Sequence, residues 1–203
     1  MAIRAAITVS VTSILLGLLF THWIADSLTL WRTPVTDVHL WVAARYYHVL
    51  TKGAPGVGYV VAAAAALGAA TIFWSLRDGE AGNLMFDGGS IFLYGTAVAI
   101  YVQSVLPNIF TNFVVLPPHI PDAKFPPDLR APTLGLASSH LICSVALTGV
   151  LALQTGRWWA ERADDDASAA ETLSQSGRDG HSGKKAGVKI ASKSNVVVAV
   201  ASS

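Results

Sequence analysis

LGLASSHLICSVALTGVLALQ, Leu134 to Gln154, decides the class of this chain. It lies inside 26 consecutive residues, 131–156, that hold no Asp, Glu, Lys or Arg. A helix rises about 1.5 Å per residue, so roughly 20 residues cross the hydrocarbon layer of a bilayer. The run therefore predicts a transmembrane helix over residues 134–153. Arg157, Trp158 and Trp159 close it. A cation and two indoles settle at the membrane–water boundary, which makes these three the expected interface anchors.

Working outward, three further uncharged runs repeat the pattern. Arg4 and Asp26 bracket the first, giving a span at about 5–25. No small-x-small cleavage site follows it, and it is long enough to span, so an uncleaved helix is expected with His22 and Trp23 at its far boundary. Lys52 and Arg77 enclose the second, at 57–76. The third runs from about 90 to 106, where Pro107 either ends or kinks it. Composition agrees, with 52% apolar residues, 13% charged residues and a mean hydropathy of +0.48, against about 25% charged for a soluble domain. A net charge of +1 offers no basic stripe for nucleic acid. The single cysteine, Cys143, excludes an internal disulfide and a cysteine-based metal pattern. The expected class is an all-α membrane protein of four transmembrane helices.

The connections are also informative. In Asp26–Gly56, Thr33-Pro34 breaks the chain, Thr36 can cap a helix, and Asp37 suits the positive end of its dipole. Leu40, Ala43, Ala44, Tyr47 and Leu50 then recur with helical spacing, and His39, Arg45 and Tyr46 lie off that stripe. A short amphipathic helix is expected, lying on the membrane surface or docked on the bundle and stopped by the GAPGVG run from Gly53 to Gly58. Pro117–Pro132 holds six prolines, which predicts an extended connector. Residues 161–203 mix acidic and basic side chains with Ser, Ala and Gly, and predict a disordered hydrophilic tail after a membrane domain of residues 1–160. Four spans place both termini on one side, but the loop arginines and lysines are too evenly divided to say which.

Residues able to do chemistry are sparse. His39 and His48 are nine positions apart, on opposite sides of one helix, and cannot share an ion. Ser138, Ser139 and His140 are chain neighbours, and adjacent helical positions do not face each other. No catalytic, cofactor-binding or metal-binding set is expected. Between Arg4 and Asp26, and within the other spans, no carboxylate or cation is found, so Gln103 and His140 are the polar groups of interest. His140 reads as a helix-to-helix hydrogen bond or a proton relay. Ala62, Ala66 and Ala70 repeat every four residues, as do Gly95 and Ala99. Small residues at that spacing let helices approach closely, either to hold this bundle together or to receive other helices.

Three stretches together resemble one family, the fungal endoplasmic-reticulum packaging chaperones of amino-acid permeases, the Shr family. DVHLWVAARYYHVLTKGAP, Asp37 to Pro55, is similar to the family's inter-span pattern through His39, Ala43, Arg45, Tyr47 and Leu50. IFLYGTAVAIY, Ile91 to Tyr101, with its exit at Asn108, resembles the third span, and Leu136 to Trp159 resembles the last, from its Ala-Ser-Ser start to its Leu-Gln-x-Gly-x-Trp exit. The resemblance implies a non-enzymatic protein of the endoplasmic-reticulum membrane with cytosolic termini. Its expected partners are nascent or partially folded amino-acid permeases, membrane lipid and, through the tail, coat-complex-II components. It implies no cofactor. The candidate client-binding or structural residues are Asp37, His39, Arg45, Tyr47, Leu50, Ala62, Ala66, Ala70, Gly95, Ala99, Ser138, Ser139 and His140. The proline-rich loop and the mixed charge of the tail depart from the family's pattern. Read from the residues alone, a small four-span transporter or channel subunit and a membrane-embedded enzyme stay open as alternatives.

Overall fold

The computed structural model describes residues 2–76, 84–118 and 124–198. Among them every regular element is helical: α1 (Ala2–Leu30), α2 (Asp37–Thr51), α3 (Pro55–Leu76), α4 (Leu84–Ile100), a π turn (Tyr101–Val105), α5 (Leu106–Asn112) and α6 (Pro127–Val198). Four helical stretches are long and apolar enough to cross a membrane: Ile3–Leu30, Gly56–Trp74, Met85–Asn112 and Pro127–Glu171. Residues 1–157 form one compact unit and residues 158–203 a second.

Within the first unit, α1 packs on both α2 and α3, and α3 packs on α4. Two apolar clusters form the interior. One joins Leu19, Ile72, Tyr94, Ala97, Cys143, Ala146, Leu147 and Val150 across the four long helices. The other gathers Ala25, Val105, Ile109, Phe113, Phe125 and Leu136 around α2, which contributes Leu40, Trp41, Ala43, Ala44 and Tyr47. The amphipathic helix is therefore docked on the bundle. Trp41 meets Phe125 edge-on at 5.2 Å, and Tyr47 meets Phe113 at 5.4 Å.

Several sequence expectations need correction. The first helix does not end at Ala25 but continues to Leu30, so His22 and Asp26 lie inside it, and both are buried. Leu50, placed on the buried stripe, is 37% exposed, and Trp41 takes the inward position instead. Pro107 neither ends the third long helix nor breaks it. The π turn just before it shifts the register, and the ring falls in the first turn of α5, where a missing N–H costs least. The proline-rich connector is shorter than expected: α6 starts at Pro127, and Pro132 lies within its opening turns. Part of that connector, 119–123, and residues 77–83 between α3 and α4 lie outside the described residues.

The small-residue faces are the most consequential correction. Ala62, Ala66 and Ala70 are exposed, as are Gly95 and Ala99, so they do not hold this bundle together. The inward face of α3 is Ala65, Gly68, Ala69 and Ile72. At Gly68 the backbone is so close to its neighbours that a methyl group would overlap the Tyr94 hydroxyl and come within 3.0 Å of Val11 Cγ1. That hydroxyl donates to the Ala65 carbonyl at 2.9 Å, fastening α4 to α3.

In the second unit the helix continues to Val198, with every residue from Arg162 to Glu171 exposed. Those ten residues, without tertiary burial, rest on local bonds alone, and a helix held only so is marginal in water. That is the physical content of the disorder expected for a tail of this composition. Trp158 and Trp159 are exposed and edge-to-face at 5.7 Å, and the Arg162 guanidinium lies over the Trp158 ring at 5.2 Å.

Candidate functional site: a buried Asp–His–Tyr layer

Between the two apolar clusters lies a polar layer. Its placement follows from helical spacing. On α6, His140 stands between Leu136, in one cluster, and Cys143, in the other, four and three residues away on the same face. On α1, His22 and Asp26 are four apart and turn toward it together. Asp26 is 4% exposed and His140 1%.

Asp26 accepts two hydrogen bonds. Tyr47, from α2, donates its hydroxyl to Oδ1 at 2.5 Å, and His140 Nδ1 lies 3.0 Å from Oδ2. The carboxylate thus ties α1 to α2 and α6, and it fixes the hydrogen of His140 on Nδ1. The Tyr47 phenol is held protonated, its pKa pushed above the ordinary value near 10, first by burial and then by the neighbouring Asp26 charge. Beside it, Tyr46 donates to the Thr21 carbonyl at 2.9 Å, so His22 Nδ1, 3.0 Å away, must donate to the Tyr46 oxygen. Burial also raises the pKa of Tyr46. The His22 and His140 rings stack with centroids 4.6 Å apart. Nε2 of His140 is buried without a hydrogen-bond partner.

A second polar tie lies at the other end of the bundle. Arg157 Nη1 donates to Asp87 Oδ1 and Oδ2 at 2.7 and 2.9 Å, and Gln154 Nε2 donates to Ser90 Oγ at 3.0 Å. Arg157, expected as an interface anchor, is thus engaged with a carboxylate on α4. Asp26 and Asp87 both lie inside helices long enough to cross, each near a helix end.

The remaining candidates have structural partners. Asp37 accepts the Phe125 amide at 3.2 Å, which pins the start of α6 to the start of α2. His39 Nδ1 accepts the Thr36 amide at 3.4 Å as part of the α2 cap, and His48 Nδ1 donates to the Phe113 carbonyl at 2.6 Å. Ser139 and Ser104 hydroxyls meet at 3.2 Å, while Ser138 and Arg45 are exposed. Only Tyr47 and His140 of the sequence candidates join the polar layer. Asp26, His22 and Tyr46 were missed as members. The signal available was the His22/Asp26 spacing of four, with the same helical face pointing inward.

A Ser–His–Asp arrangement needs a nucleophile hydrogen-bonded to the free imidazole nitrogen, and Ser144 Oγ instead donates to the His140 carbonyl. Among the described residues no three His, Cys, Asp or Glu converge as a metal site. The fold and its polar layer define a multi-pass membrane protein whose buried polar groups link helix to helix. The sequence of this helical bundle matches the SHR3_chaperone family, described as ER membrane protein SH3, over residues 1–194, and the chain belongs to that family. No curated protein and no solved structure matches.

Proposed function

We propose that this protein is a non-enzymatic chaperone of the endoplasmic-reticulum membrane that assists the folding of polytopic amino-acid permeases and favours their loading into coat-complex-II vesicles. The observation that carries this reading, beside the family, is the outward direction of Ala62, Ala66, Ala70, Gly95 and Ala99. Lipid provides no hydrophobic drive between helices, so association rests on close packing, and small residues on an outer face allow it. A bundle that spent its small residues internally would have no such face. Here Gly68 serves the interior and the alanine row is left over.

In this reading both termini are cytosolic, and α2 lies on the lumenal side. The exposed Trp158 and Trp159 sit at the boundary, and the tail of residues 161–203 reaches coat components. Asp37, His39, Arg45, Tyr47 and Leu50 form the lumenal element, with Tyr47 as its tie to the bundle. The two carboxylates within the long helices are engaged by Arg157 and by His140 and Tyr47, an arrangement that suits linkage better than ion coupling.

Deleting the gene in its host should strand several amino-acid permeases in the endoplasmic reticulum while other plasma-membrane proteins leave normally. Ala66→Leu should keep abundance and lose permease delivery, because the added bulk meets no neighbour within the bundle. Ala65→Leu, beside Tyr94, should lose abundance instead. Normal permease delivery in the deletion strain rejects the reading. A tag after Ser203 that resists protease in sealed microsomes rejects the topology.

A further inference from the structure

A groove of about 290 Å³ opens between α1 and α6. Leu19, Phe20 and Trp23 line it from α1 and Leu141 from α6, and Asp26 and His140 are the ionisable groups in its wall. Phe20 is 71% exposed and Trp23 42%, so the apolar rim faces outward, toward what would be lipid. From this groove, resting on the chaperone reading above, we infer a binding site for a transmembrane segment of a client that carries a hydrogen-bond donor: a serine, threonine, asparagine or glutamine side chain within its apolar span.

The argument turns on His140. Its Nδ1 hydrogen is committed to Asp26, so in the neutral ring Nε2 presents a lone pair. That atom is buried and has no partner. Solvent does not reach it in the closed wall of the groove and the hydrocarbon layer offers none, so its hydrogen must come from a side chain that presses into that wall. His140 lies ten residues beyond Arg130, roughly 15 Å along α6, well inside the apolar run. An acyl chain would satisfy the leucine and aromatic wall but has nothing to donate. A polar residue on an incoming helix satisfies both: its neighbours pack on Leu19, Phe20 and Leu141, and its N–H or O–H reaches the imidazole. Unassembled spans of polytopic proteins carry such residues, which are costly in lipid until their own partner helices arrive. A polytopic client has several spans, so occupation of this groove is compatible with another span packing on the small-residue faces.

The test uses the full-length protein in microsomes, with a photoreactive amino acid at Phe20 on the groove rim or at Phe73, an exposed position on α3, as control. The probes are two co-inserted model spans of leucine and alanine, one with a central asparagine and one with leucine there. The asparagine span should crosslink at position 20 about three- to thirtyfold more than the leucine span, the range that one intramembrane hydrogen bond of about 0.6–2 kcal/mol allows. It should show no such preference at position 73. His140→Phe, which keeps an aromatic ring beside His22, should abolish the preference. Leu141→Trp, which fills the groove and keeps both members of the Asp26–His140 pair, should suppress crosslinking of both probes and guards against a folding defect in His140→Phe. Equal crosslinking of the two probes at position 20 overturns the proposal. So does a preference that survives both substitutions, or crosslinking only to lipid or to a second copy of the chain. Permease exit measured in the same strains keeps the two readings apart: the groove fails while the chaperone stands if exit depends on the protein but Phe20 shows no preference.

Discussion

Tyr47→Phe removes one oxygen from the centre of the fold and tests whether the polar layer holds α2 to the bundle. The ring keeps its packing against Phe113, so no cavity opens and the loss is confined to the hydrogen bond on Asp26 Oδ1. A hydrogen bond to a charged acceptor contributes about 1.5–3 kcal/mol, so the unfolding equilibrium should shift roughly 10- to 100-fold. Reversible unfolding in mixed micelles, followed by tryptophan fluorescence, reads that shift. In an Asp26→Asn background the acceptor is neutral and the same substitution should cost only about 0.5–1.5 kcal/mol. The pH dependence supplies an independent sign. Burial, then Asp26, raises the folded pKa of Tyr47 above the ordinary value, so its contribution is full below pH 10 and falls as pH rises further. The unfolded phenol ionises there while the folded one resists, so the parent should lose about 1.4 kcal/mol per pH unit relative to the phenylalanine variant. The reasoning is refuted if Tyr47→Phe costs the same in both backgrounds, or if the parent and variant curves stay parallel above pH 10.

The other bundle contacts give sharper contrasts between neighbouring positions. Asp87→Asn or Arg157→Gln removes one member of this buried pair, which should cost about 3–5 kcal/mol and show as lower steady-state abundance. The Asp87→Leu, Arg157→Leu double variant should recover most of it, since apolar replacement of such a pair is often near neutral. Gly68→Ala should destabilise by about 1–3 kcal/mol through overlap with Tyr94 and Val11, whereas Gly95→Ala, with open space around it, should leave unfolding unchanged.

The four long helices were legible because each span is written as a stretch without charge, and only a helix can satisfy its own backbone in lipid. The docked α2 was legible from Leu40, Ala43, Ala44 and Tyr47, which repeat with the period of a helix too short to span. What could not be read was direction around each axis. A four-residue repeat of alanine states that a close approach is possible, not from which side, and in α3 the approach occurs on the opposite face, at Gly68. The same limit hid the polar layer. Charge marks a span's end in an apolar sequence and Asp26 reads as a boundary, although its histidine partner, 114 residues away, pairs with it in the bundle interior. A carboxylate within an apolar run signals an end only when nothing deeper can pair with it. Here three signs in the sequence bear on that question: His22 one turn earlier on the same face, a histidine in the last span, and a tyrosine on the inward stripe of α2. Each alone is an ordinary packing residue. Tyr47 and His140 meet on the Asp26 carboxylate with His22 stacked beside them, and that meeting makes α2 part of the bundle and leaves His140 Nε2 buried without a partner.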